Sequence, residues 1–257
     1  MDNKIDVVYV PTGQSKCNYN EVRFVLRSIE KYVSNVRRVY VIGKQEIGDI
    51  IAQGKNEVVQ YLKAPLPVAK GCSQNTVAHD SIDITQRLIQ YRHLTHKFIF
   101  ITDDTILTRP FNHEDHNEIH PVSDLEFFYS KNSWHRMLIN TYFWCLYNHD
   151  STHNYESCSP VVYNTPHFST AAEHYLSSSP LVEDGLSFKS VYGNLHCCGK
   201  VEYVPDVKTY ALNACVEVKK VLTDHSQPWI CVSADAMMQN TMPLLFNEFS
   251  EKSIYEG

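Results

Sequence analysis

Two adjacent carboxylates at the end of an apolar run are the strongest chemical signal in the chain. Lys97–Ile101 reads KFIFI, an apolar strand that runs directly into Thr102, Asp103 and Asp104. Carboxylates leaving a buried strand are costly unless a cation meets them. Mn²⁺ or Mg²⁺ is the natural partner, because it takes hard oxygen ligands and bridges to a diphosphate. Asp103 and Asp104 are therefore the candidate metal ligands; the alternative is a solvated turn, since Asp is common after strands. A second signal is Asn20, Arg23 and Arg27, which fall at i, i+3 and i+7 on one face of an amphipathic helix. Guanidinium groups so placed suit a phosphate or a sugar carboxylate, and a solvated face with local ion pairs is the alternative.

The elements that must position these groups alternate. Ile5–Val10 is an apolar strand; Asn20–Val33 carries Val22, Val25, Leu26, Ile29 and Val33 at helical spacing, with Asn18 or Asn20 as its cap. Strands follow at Arg38–Ile42 and Glu57–Leu62, a helix at Thr76–Leu94, then the KFIFI strand. This β-α-β-β-α-β order predicts an α/β fold with a mostly parallel sheet flanked by helices. Ligands bind such sheets beyond the carboxyl ends of the strands, so Pro11–Lys16 and Asp103–Thr105 share one edge. The later part predicts a strand at Leu125–Tyr129, an aromatic-rich helix at Ser133–Asn148, a helix at Phe168–Ser177, a strand at Trp229–Ser233 and helical Met237–Phe249 around Pro243.

Composition bounds the rest. With 257 residues, 43% hydrophobic and 20% charged, the chain has enough apolar surface for a sizeable core, which excludes disorder as its main state. No apolar run approaches a membrane span of roughly 18 residues, and the start is not a signal peptide, so a cytosolic protein without membrane contact is expected. Eight Cys without a Cys-x-x-Cys pair predict buried reduced thiols rather than a zinc ribbon. The net charge of −6 is uneven: residues 1–110 hold 15 Lys and Arg against 11 Asp and Glu, the remainder 8 against 18. A mildly basic first part suits a phosphate-bearing ligand, or reflects only two differing surfaces. The simplest arrangement is one domain over 1–257, with a donor part at 1–110 and an acceptor-side extension at 111–257.

IDVVYVPTGQSK, NYNEVRFVLRSIEKYVSNVRRVYVIG and KFIFITDDTILTRPF resemble successive segments of a family of phage and bacterial sugar-transfer proteins; NYESCSPVVYN, FKSVYGN and EKSIYE resemble its later pieces. The resemblance touches most of the chain and is most specific over the first 110 residues. It implies a GT-A-like, Rossmann-type nucleotide-sugar transferase, distantly similar to the Stealth sugar-1-phosphate transferases. Stealth proteins carry Asp-Gly-Ser-Asp-Pro after the first strand, whereas this chain has Pro11-Thr12-Gly13-Gln14-Ser15; the segment matching Tyr155–Pro160 often has His where this chain has Cys158.

Carried over by residue, the resemblance places Asp103 and Asp104 around the metal and donor diphosphate, and Pro11, Thr12 and Gly13 near the nucleotide base and ribose. Asn20, Arg23 and Arg27 face the donor, with fold bracing an equal alternative for Arg27. Asn75 and His79 reach ribose or sugar, a plain N-cap being the alternative for Asn75. Glu156 and Asp235 are the candidates for the base that deprotonates the acceptor hydroxyl, beside Asp104 as a catalytic carboxylate. His196 or His225 completes the metal shell, and Tyr155, Tyr192 and Trp229 form an aromatic acceptor platform; core or surface roles are the alternatives for all five.

Three functions follow. The first is a metal-dependent glycosyltransferase using a nucleotide-diphosphate sugar such as a UDP-sugar. For a bacteriophage relative, acting in the host cytoplasm, the acceptor would be hydroxymethylcytosine in phage DNA, with Arg87, Arg92, Lys97 and Arg109 on backbone phosphates; otherwise it is a glycan. The second is a Stealth-like transferase of a sugar phosphate in polysaccharide synthesis. The third is a catalytically silent nucleotide-sugar-binding module.

Overall fold

The apolar runs of the first hundred residues pair into one sheet. The structure is a computed structural model and describes residues 4–11, 17–51, 57–64, 75–102, 105–116, 119–149, 151–197, 203, 208–209 and 214–257. In chain order, β1 (Ile5–Val10), α1 (Asn20–Tyr32), β2 (Val36–Gly43), the single turn α2 (Gln45–Gly48), β3 (Val59–Lys63), α3 (Asn75–Gln90) and β4 (Lys97–Thr102) give the expected alternation. Next come β5 (Thr105–Leu107), β6 (Ser123–Asp124), α4 (Ser133–Asn148), β7 (His153–Asn154), β8 (Val161–Asn164), α5 (Thr165–Ser178) and α6 (Phe188–His196). The chain ends with β9 (Lys208–Thr209), α7 (Ala214–Asp224), β10 (Trp229–Val232), the short α8 (Ala234–Ala236), a π-helical turn and α9 (Met242–Glu248).

The main sheet has the order β3-β2-β1-β4-β8, parallel except for β8, which pairs antiparallel with β4. Both faces are covered at its centre, so the buried parts of β1, β2 and β4 read as largely apolar runs, while the edge strand β3 mixes polar residues in. Within β1, Val7 and Tyr9 point to one core with α1, α7 and α9, while Val8 and Val10 point to the other with α3, α5 and α6. Tyr40 and Ile42 of β2, and Phe98 and Phe100 of β4, share the second core. A smaller sheet, β5-β10-β9, continues from the end of β4.

Several local expectations are corrected. The N-cap of α1 is Tyr19, which makes no side-chain cap hydrogen bond, instead of Asn18 or Asn20. Asn18 and Tyr19 both take left-handed backbone, with φ of 53° and 57°, a turn that reverses the chain before the helix starts; Asn accepts this region readily and Tyr at some cost. No strand forms over 125–129: only Ser123 and Asp124 pair, with β7. Phe127 and Tyr129 are exposed there, as are Trp134, Phe143 and Tyr147 on α4, so these aromatics build no core. Sequence reasoning passed over β8, α6 and α7, whose apolar residues form short or irregular runs. Of the six described cysteines, Cys17, Cys145 and Cys231 are buried and Cys158, Cys197 and Cys215 only half-buried. Burial pushes the Cys145 thiol up to about 12.

Candidate functional site at the carboxyl edge of the sheet

The parallel register fixes which residues meet. Val10 pairs with Thr102, so β1 and β4 end side by side, with Pro11 buried just after β1. Thr12, Gly13, Asp103 and Asp104 lie outside the described residues. Their described neighbours locate the edge. Thr105 resumes the chain as β5 and pairs with Cys231 of β10 in antiparallel register, which carries Val232, Ser233 and the exposed Asp235 past Thr105. Thr105 Oγ1 donates to the Cys158 carbonyl at 2.8 Å, tying the loop before β8 to the same place. Glu156 is half-buried in that loop, and its Oε1 accepts from Ser187 Oγ at 2.7 Å. Both base candidates, Glu156 and Asp235, are thus brought to the edge.

The two segments resembling later family pieces pack on each other. Ser190 Oγ accepts from Tyr155 N at 3.0 Å, and Asn194 donates to the His153 carbonyl at 2.8 Å. Gly193 faces the Tyr155 ring so closely that an added Cβ would lie 2.4 Å from it. Tyr155 is fully buried by this contact. Tyr192 stacks edge-on against Tyr163 in the core, and Trp229 packs against Phe111 and His116 at the far end of β10. The aromatic acceptor platform is therefore corrected: these rings are structural.

On the opposite side of the edge, α1 begins. Asn20 contacts the Met242 sulfur at 3.7 Å, and half-buried Arg23 donates to the Asn18 carbonyl at 3.3 Å. Arg27 does not face the donor side. It donates to both carboxylate oxygens of Glu256, at 2.7 and 3.0 Å, and to the Phe249 carbonyl at 2.7 Å. Bracing the fold is the role the structure gives it, because the C-terminal segment lies over this face of α1. Nearer the start of α1, Glu21 is only 7% exposed, and its Oε2 has no hydrogen-bond partner. Asn75 opens α3 at the same edge. His79 lies one turn on, 6.1 Å from the Tyr175 ring, with a buried Nε2 that has no partner.

The metal-shell histidines are corrected. His196 ends α6 and lies parallel on His167 at 4.5 Å. His167 opens α5 just after Asn164, which pairs with Lys97 at the start of β4. That is the amino edge, roughly 16 Å from Thr102 at about 3.3 Å per strand residue. Burial, together with the neighbouring His167, holds the His196 imidazole below its ordinary value, so it is a neutral packed ring. His225 Nδ1 bonds the Thr108 carbonyl at 2.7 Å, beyond β5. Among the described residues no group of three His, Cys, Asp or Glu side chains can hold a metal ion. The basic strip is also displaced: Lys97 starts β4 at the amino edge, and Arg87 pairs with Asp83 at 2.6 Å. Arg92 closes the end of α3, and Arg109 donates to the His225 carbonyl at 3.2 Å.

Sequence reasoning missed Glu21 and Lys189. Lys189 is 6% exposed, and its Nζ donates to the Ser157 and Ser159 carbonyls at 2.5 and 3.2 Å. The signal was a charged residue inside each otherwise apolar helical face.

Residues 16–124 match the family model of Stealth protein CR2, conserved region 2. No curated protein sequence matches the chain. Among solved structures it is similar to the WbbM bifunctional glycosyltransferase, at 10% identity and TM-score 0.55, over 98% of this chain and 50% of that one. The glycosyltransferase GlyE of Streptococcus pneumoniae TIGR4 matches at 10% identity and TM-score 0.43, over 97% of this chain and 61% of that one. The chain thus spans about half the length of the first of these and under two thirds of the second. The mixed α/β fold, with its mostly parallel sheet flanked by helices, agrees with WbbM. No helix among the described residues is long and apolar enough to cross a membrane.

Proposed function

We propose that the protein is a glycosyltransferase that moves a sugar from a nucleotide-diphosphate donor to an acceptor hydroxyl. The observation that carries this is the convergence at one sheet edge. The parallel pairing of Val10 with Thr102 and the bond from Thr105 to Cys158 bring the ends of β1 and β4, the Glu156 loop and the Asp235 turn together. The Stealth CR2 match over 16–124 and the likeness to a glycosyltransferase fold support the reading. Residues 1–110 would hold the donor and 111–257 the acceptor. Pro11, Thr12 and Gly13 would meet the base and ribose, and Asn20, Arg23, Asn75 and His79 the ribose or sugar. Glu156 or Asp235 would take the acceptor proton, Glu156 being better oriented because Ser187 fixes one of its oxygens.

Asp103 and Asp104 would hold Mn²⁺ or Mg²⁺, which when bound neutralises charge developing on the leaving diphosphate. No described residue is assigned to the metal. A glycan acceptor is preferred to hydroxymethylcytosine DNA, because the basic strip that would hold DNA lies at the amino edge or is already engaged. The second reading, transfer of a sugar phosphate, is favoured by the Stealth CR2 match itself.

The test is incubation with Mn²⁺ and a panel of nucleotide sugars, with glycan or hydroxymethylcytosine DNA acceptors, read by mass spectrometry. Nucleoside diphosphate release with sugar gain supports the first reading, and nucleoside monophosphate release the second. Asp104→Asn should lower turnover by about 100-fold or more; unchanged turnover in that variant removes the site.

A further inference from the structure

Lys189 has a chemistry that its surroundings leave incomplete. Its ammonium sits in the first turn of α6, 6% exposed, and bonds two peptide carbonyls, Ser157 and Ser159. Among the described residues no carboxylate lies within ion-pair distance of it. The two carbonyls take two of its three protons and do not cancel a unit charge, and a buried cation without an anion is costly. The nine-residue helix α6 adds its own positive end at this point. Glu156, the acidic neighbour in the loop, has one oxygen turned to Ser187. The loop that Lys189 holds is joined to the site through Cys158, whose carbonyl accepts from Thr105 Oγ1 at 2.8 Å. The ammonium is therefore fixed to the loop that adjoins the residue resuming the chain after β4.

We propose that Lys189 is a fixed cation of the donor site and takes the diphosphate of the nucleotide sugar. This rests on the glycosyltransferase reading above and names a binding residue that the reading did not contain. In the transfer the sugar C1–O bond breaks and its electron pair stays on the β-phosphate oxygen. The acceptor oxygen bonds C1, and its proton passes to the base. The negative charge gained by the leaving diphosphate is what Lys189 stabilises. Its two carbonyl bonds hold the amine in place, so little reorganisation is needed when the donor binds.

The test compares nucleoside diphosphates with the corresponding nucleosides by calorimetry at fixed Mg²⁺, across the uridine, cytidine, guanosine, adenosine and thymidine series. Lys189→Gln keeps hydrogen-bond donors and removes the charge; Lys189→Arg keeps the charge. The Gln variant should lose about tenfold of the diphosphate-over-nucleoside preference with nucleoside binding unchanged, and the Arg variant should retain most of it. Preference unchanged in folded Lys189→Gln overturns the proposal. Equal losses for diphosphate and nucleoside also overturn it, since they mark a residue that only holds the loop. A wild-type protein that prefers no diphosphate over its nucleoside overturns the glycosyltransferase reading itself, and this inference with it. If the Gln variant does not fold, ¹⁵N-lysine-labelled wild type gives the answer, with Lys189 assigned from the Arg variant. Pyrophosphate must move the Lys189 ammonium signal, and a signal left in place overturns the proposal.

Discussion

The two edges of the main sheet treat buried charge in opposite ways. At the amino edge Asp6 is fully buried in β1, and its carboxylate is saturated. Arg37 donates to both oxygens at 2.9 and 2.6 Å, and Thr95 N donates at 2.7 Å. The pairing also holds the Arg37 guanidinium above its ordinary value. At the carboxyl edge Glu21 buries an oxygen without a partner, and Lys189 buries an ammonium with carbonyls alone. A fold that satisfies one buried carboxylate with three bonds can satisfy others. Groups left short at the candidate site are the ones whose removal should separate stability from binding.

Breaking the saturated side should have the largest effect. Asp6→Ala should cost about 3 kcal/mol in urea unfolding, because it strips Arg37 and Thr95 of a common partner, and should leave nucleotide affinity unchanged. A loss below 1 kcal/mol would end the claim that this carboxylate anchors the edge. Arg27→Met should cost about 2 kcal/mol, since buried Glu256 loses its two short guanidinium bonds and keeps only the 3.7 Å pair with Arg23; a selective loss of donor affinity instead would return Arg27 to the site. Gly193→Ala should cost about 1–3 kcal/mol by overpacking the Tyr155 ring, and a smaller residue at 155 should recover part of it.

The carboxyl edge should answer differently. Glu21→Gln should be neutral or stabilise by up to about 1 kcal/mol, since an unpaired buried carboxylate is exchanged for a neutral amide. Donor affinity should fall in the same variant. A destabilised Glu21→Gln would show that the two edges do not differ in kind.

The smallest effect concerns pH. His196 and His116 both titrate below their ordinary value of 6.5, mainly through burial. The unfolded chain therefore takes up protons first as pH falls, so stability is full above 6.5 and declines below it until the folded histidines titrate. His196→Phe should flatten part of the decline between pH 7 and 5. An unchanged slope would separate His196 from acid sensitivity.

The strands of the first hundred residues were legible because a sheet buried on both faces writes itself as short apolar runs, as in IDVVYV and KFIFI. The sharing of one edge by the ends of β1 and β4 followed from their order. The later elements were harder to read: β8 has four residues, and α6 interleaves polar side chains that serve the loop beside it. Placing His196 with the metal failed for a related reason. Its distance from the carboxyl end of β4 depends on the antiparallel direction of β8 and the path of α5, which local pattern does not record.

By itself the sequence determined the alternating α/β order and the buried, mostly parallel sheet, because these depend on local periodicity. Only the tertiary structure decided which polar residues meet. Arg23 and Arg27 are one helical turn apart, and both meet Glu256 from the far end of the chain: Arg27 is clamped through two hydrogen bonds, while the more exposed Arg23 makes only a 3.7 Å ion pair with it and a bond to the Asn18 carbonyl. Such long-range contacts are set by how the C-terminal segment and α6 pack on the sheet, and packing is a property of the whole chain.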